Sequence, residues 1–177
     1  MRIYINHIMK ISFFTIVIII FSMGCTSQPN RQVYLSSLEN IHNYPANTQD
    51  SLKIDSLQLI SKRFEEKCEK EKRECFIHDM VLDANFKGGA GKFRQALHKN
   101  FKLPPKAKKG ENKISVIIGT NNKIEQIKIL KFSDLATKKV IEEVFKSQEL
   151  NNWKSARIYN IPVKQEFEIS IFVGIKD

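Results

Sequence analysis

Most of this 177-residue chain lacks the features that would settle its class at once. Seven glycines and five prolines are too few for a long flexible or proline-rich spacer, and no segment repeats internally. The adjacent pair Gly88-Gly89 follows no strand of Walker or Rossmann pattern, so it reads as a backbone turn opening a helix rather than a phosphate cradle. Apolar runs are short as well. The longest, residues 11–21, would cover about 17 Å as a helix, well below the roughly 30 Å of a bilayer core. Acidic residues are missing from the first 38 positions, where Arg2, Lys10 and Arg31 are the only charges.

What stands at the amino end has a different logic. A positively charged start, a short oily stretch and the small residue Gly24 form the pattern of an export signal, and Cys25 follows at once. The arrangement resembles a bacterial lipobox, although Ser22 stands where leucine is usual. That resemblance implies cleavage before Cys25, lipidation of its thiol and a lipid-anchored mature chain. The alternatives are an uncleaved anchor or a plain secretory signal with an incidental cysteine, and on every one of these readings the chain crosses the inner membrane. Thr26-Ser27 lacks the Asp that retains some lipoproteins at the inner membrane, and residues 26–38 lack an acidic export cluster. Both features point to the periplasmic face of the outer membrane.

Charge divides the remainder. Residues 26–83 hold 8 basic and 10 acidic side chains, net −2, whereas residues 84–177 hold 19 and 9, net +10. For an exported protein a basic region points away from nucleic acid and towards anionic lipid, lipopolysaccharide, cell-wall carboxylates or an acidic protein, or it is a solvated surface. Residues 25–50 are polar with little periodicity and read as a flexible tether. In residues 51–83, Leu57, Ile60, Phe64 and Cys68 share one helical face, with opposite charges four apart at Glu66/Lys70, Lys67/Glu71, Glu69/Arg73 and Lys70/Glu74. A charged amphipathic helix over 52–73 is expected, its stripe docked on the following domain or on a second copy of the chain.

Residues 84–177 carry the clearest architecture. Phe93, Ala96, Leu97 and Phe101 form a helical face that Pro104-Pro105 terminates. The β-branched runs 113–120 and 123–131 flank Asn121-Asn122, which tolerates the left-handed conformation of a tight hairpin. Thr137 precedes a second amphipathic helix through Val140, Ile141, Val144 and Phe145. Phe167, Ile169 and Ile171 alternate with polar residues in a half-buried strand. The expected fold class is α+β, with two helices packed on a three-stranded antiparallel sheet, preceded by the charged helix. Trp153 reads as core.

Phe86-Lys87-Gly88-Gly89, Leu103-Pro104-Pro105-Lys106-Ala107 and Trp153 followed by Pro162-Val163 give residues 84–173 a pattern that resembles the TonB C-terminal domain family. The departures are Lys87 for proline, Leu103 for tyrosine, and asparagine at turn glycines. The resemblance implies a protein-binding module that accepts a partner's strand beside the last strand, about Val163 to Val173. Phe167, Ile169 and Ile171 would line that strand, and Arg157 and Lys164 would select acidic segments of a TonB-dependent receptor or another outer-membrane protein. With neither a membrane-spanning helix nor a proline-rich spacer, energy transduction fits only the uncleaved-anchor reading. A cell-wall-associated lipoprotein using its basic face is a further alternative.

Chemistry-bearing residues are sparse. Seven residues along an unbroken helix place Cys68 and Cys75 about 10 Å apart, so a disulfide requires the helix to end near Lys72 and the chain to fold back. The set Cys68, Cys75 and His78 fits no common zinc spacing. His42, His78 and His98 have no reason in the sequence to converge. No catalytic residue, metal or cofactor is therefore assigned, and turnover dependent on His78 would be the mark of an enzyme.

Overall fold

A computed structural model describes residues 31–75 and 80–175. The export signal, Cys25 and His78 lie outside these residues. The described chain runs β1 (Arg31–Leu35), β2 (Glu39–Tyr44), α1 (Thr48–Lys70), β3 (Val81–Leu82), β4 (Asn85–Phe86), α2 (Gly89–Asn100), β5 (Gly110–Ile118), β6 (Ile124–Lys131), α3 (Leu135–Val144), a short 3-10 turn (Gln148–Leu150), β7 (Trp153–Lys154), β8 (Ala156–Ile158) and β9 (Ile161–Ile175).

The expected three-stranded sheet is corrected by this architecture. Among the described residues seven strands form one antiparallel sheet, and three helices accompany it. Its centre is β9, 15 residues long, in which every second residue from Val163 to Val173 is buried. On one side β9 pairs with β5 from Gly110↔Val173 to Ile118↔Gln165. On the other it pairs with β8 through a two-residue turn, then β2, then β1. Tyr159 and Asn160 both take positive φ in that turn, the geometry that matches the twist of a two-residue hairpin. Beyond β5 lies β6, joined through a turn in which Asn122 has φ 64°.

The strands β1 and β2 overturn the reading of residues 25–50 as a flexible tether. Val33 and Leu35 turn towards the core while Tyr34 points outward at 56 % exposure, the alternation of a strand with one buried face. Between the two strands the Ser36 amide donates to the Ser170 carbonyl (2.9 Å), and the Ser36 hydroxyl oxygen accepts from the Ser170 amide (2.9 Å). Pairing therefore continues through the break. Arg94 of α2 donates to the Leu35 carbonyl at 2.7 Å, fixing β1 from the helical layer.

The main core lies between one face of the sheet and helices α2 and α3. Phe93, Leu97, Ile141, Phe167, Ile169 and Ile171 are fully buried, each contributing about 1.5–3 kcal/mol by removal from water. Trp153 is core, its ring centroid 5.0 Å from that of Phe93 and its indole N–H donating to the Leu150 carbonyl at 2.8 Å. At the entrance to α2, Gly88 takes φ +90°, and a Cβ there would lie 2.7 Å from Lys92 Cγ.

Helix boundaries also shift. Asn47 caps α1 by accepting the Asp50 amide at 2.9 Å, so the helix begins at Thr48 and ends at Lys70 rather than spanning 52–73. Of its four expected charge pairs, Lys67/Glu71 is the one that approaches, at 4.0 Å. Asp134 caps α3, which begins ahead of Thr137.

Candidate functional site

Alternation in β9 decides what each side of the sheet can do. Odd-numbered residues enter the core, and even-numbered residues face the side opposite α2 and α3. Phe167, Ile169 and Ile171, expected to line a partner's strand, are therefore fully buried. The edge expected to receive that strand is already filled by residues 31–44 and by β8. The chain's own residues 31–44 and β8 cover it. A polar appearance concealed this segment, and its signal was the short alternation Val33-Tyr34-Leu35.

The opposite face is a carpet of matched charges. Lys113 meets Glu168, which also accepts from Asn40 at 2.7 Å. Glu111 accepts from the Ser170 hydroxyl at 2.8 Å and from Lys131 at 3.0 Å. The Lys113 hydrogen bond, then that of Asn40, holds Glu168 below the usual carboxylate range, and Ser170 followed by Lys131 does the same for Glu111. Lys164 is bound to Glu125, which raises its pKa and satisfies its charge within the chain. Arg157 donates to the Asn160 carbonyl at 3.2 Å within its own turn. The two cations expected to select acidic partners are thus engaged locally.

Unpaired backbone lies elsewhere. The outer edges of β1 and β2 are interrupted by the Ser36–Leu38 break and by Asn40 at φ 51°. Among the described residues β6 is the terminal strand of the main ladder, pairing with β5 alone over Ile124–Lys131, with a register shift near each end and continuous pairing from Gln126 to Ile129. Its buried-side residues Ile124, Ile127 and Ile129 pack against the core, while Gln126 and Lys128 are exposed. Among the described residues Lys123 and Lys128 take part in no ion pair.

Cys68 and Cys75 are joined, with Cα atoms 6.1 Å apart. The helix stops at Lys70, and Lys72 at φ 50° turns the chain back, which is the reversal the bond requires. The Leu57/Ile60/Phe64 stripe beside it stays exposed at 37 %, 58 % and 55 %. His42 lies on β2 opposite Glu166 and His98 on the outer side of α2. Among the described residues no group of three or more His, Cys, Asp or Glu side chains could hold a metal ion, and no helix is long and apolar enough to cross a membrane. Compared with known proteins, the chain matches no family model, no curated protein and no solved structure.

Proposed function

We propose that this chain is a lipid-anchored envelope protein, held at the periplasmic face of the outer membrane through Cys25, whose TonB-like α+β domain binds another envelope protein by strand addition. The observation that carries the reading is the outer edge of β6, in continuous register from Gln126 to Ile129 between irregularities at Glu125 and Leu130, whose backbone groups have no strand partner among the described residues. Such an edge accepts an extended segment through main-chain hydrogen bonds. Lys123 and Lys128 favour an acidic segment. The succession of α2, the β5–β6 hairpin, α3 and β9 supports the resemblance to TonB C-terminal domains. The site moves to β6 because residues 31–44 occupy the edge of β9.

A photo-reactive residue at Gln126 in the membrane-anchored chain tests this reading, with exposed Gln58 of α1 as control. The expected result is one protein adduct specific to position 126, mapped to an extended acidic segment and lost on Lys123→Glu with Lys128→Glu. Equal capture at both positions, or an adduct indifferent to the charge reversal, contradicts it.

A further inference from the structure

The distance from Cys25 to the sheet has a physical consequence. Arg31 already belongs to β1, so six peptide steps separate it from the proposed anchor, a reach of about 20 Å when fully extended. The sheet end at which β1 begins must therefore stay close to the bilayer. That end is defined by register: Arg31 pairs with Ile175, Val33 and Gly110 both pair with Val173, and β1 and β5 flank β9 about 10 Å apart.

Lysines and apolar side chains crowd this end. The Lys108 amide donates to Asp134 at 2.9 Å, which places the Lys106–Lys109 loop beside the start of α3. A Cβ on Gly110 would stand 3.2 Å from Ser133 Cβ, so the 132–135 turn lies against the start of β5. In that turn Phe132 is 44 % and Leu135 67 % exposed, and Lys138 holds its ammonium 5.3 Å from the Phe132 ring centroid. Among the described residues Lys106, Lys108 and Lys109 take part in no ion pair. Acidic neighbours do face the cluster: Asp134 carries four hydrogen bonds from Lys108, Thr137 and Ser133, and Glu142 approaches Lys138 at 3.9 Å.

We infer that Lys106, Lys108, Lys109, Phe132, Leu135 and Lys138 form a bilayer-contacting surface, which seats this end of the domain on the anionic phospholipid headgroups of the membrane that holds the chain. The inference rests on the membrane attachment proposed above. Apolar tips at the headgroup boundary ringed by lysines are the composition of an interfacial surface. The short link lets those lysines approach the headgroups to within a Debye length, where their attraction to anionic lipid is not screened. Seated in this way, the domain points its other end away from the bilayer. There Ser155 binds Gly119 (2.6 Å) and Asn122 (3.0 Å) of the β5–β6 turn. That turn is about 30 Å from Gly110 along β5.

The test uses the full chain reconstituted in vesicles of phosphatidylcholine with brominated phosphatidylglycerol. Leu135→Trp places a fluorophore in the surface, while buried Trp153 at the far end serves as an internal reference and Lys154→Trp as a distal control. The expected result is loss of the emission added at position 135, restored by high salt or by Lys108→Glu with Lys109→Glu, while position 154 stays bright. A position-135 signal as bright as that at 154, on chain that floats with the vesicles, overturns the surface. Intact mass reports the anchor separately. An unmodified Cys25 ends the lipid-anchor reading, and quenching on the chain held by its uncleaved segment still decides the surface.

Discussion

Helix α1 and strand β9 are both amphipathic in sequence, yet they relate to the fold in opposite ways. Across the 23 residues of α1, Ile54 and Cys68 alone are buried, and the Leu57/Ile60/Phe64 stripe faces outward. Along the 15 residues of β9 every second side chain from Val163 to Val173 is buried, and both edges are paired. Periodicity reports the face an element offers, but it does not say whether anything covers that face. A strand recruits its neighbours through backbone groups as well as side chains, whereas an isolated helix satisfies its own backbone and can stand with its stripe uncovered.

Removing a side chain from the covered element gives the largest effect. Ile169→Ala leaves a cavity at the centre of the core and is expected to cost about 2–5 kcal/mol in chemical denaturation. A cost under about 1 kcal/mol would mean that β9 is not the centre of the packing. Next comes the cap that holds α3 to the Lys108 loop. Desolvation pushes the Asp134 carboxyl up, but hydrogen bonds from the Lys108 and Thr137 amides and the Thr137 and Ser133 hydroxyls outweigh it and hold its pKa at about 2. Because the folded value lies below the unfolded one, this contribution is present above about pH 4 and is lost as pH falls through about 2. Asp134→Ala is expected to cost about 1 kcal/mol at neutral pH, and its stability should fall less steeply than that of the native chain between pH 4 and 2.

Changes in the uncovered element should be smaller. A disulfide closing a loop this short contributes about 2.5 kcal/mol in the chain-entropy limit. Between residues 61 and 75, however, Cys68 is the one buried side chain, so that end of α1 can fray without disturbing the sheet. Cys68→Ser with Cys75→Ser should therefore lower global stability by less than about 1 kcal/mol, the amides of the last turns of α1 exchanging first. Leu57→Ser with Ile60→Ser should be smaller still, within about 0.5 kcal/mol by thermal denaturation of the monomer. A larger, concentration-dependent loss would show that a second copy covers the stripe.

The parts legible in the sequence were those with locally complete signals. Asn121-Asn122 between two β-branched runs marks the β5–β6 hairpin, and the alternation of Phe167, Ile169 and Ile171 marks β9. The Phe93/Leu97 spacing marks α2. Strands β1 and β2 were not legible because their stabilising partner lies about 130 positions away in sequence, and only Val33 and Leu35 betray a buried face. That omission also hid the occupied edge of β9, and with it the burial of residues expected to meet a partner. Local charge spacing gave no warning that Lys164 would be bound by Glu125, since that pair is formed only across the completed sheet.

Residues 31–44 are an integral edge of the sheet and not a tether. Amide hydrogen exchange of the full-length chain, read at Ser36 against Ser170 and β9 as a whole, decides whether they are. Ser36, donating to the Ser170 carbonyl, is expected to exchange with the protection of the sheet, far more slowly than the exposed stretch of α1. Exchange of residues 33–44 at the rate of an unstructured chain, with β9 still protected, would contradict it.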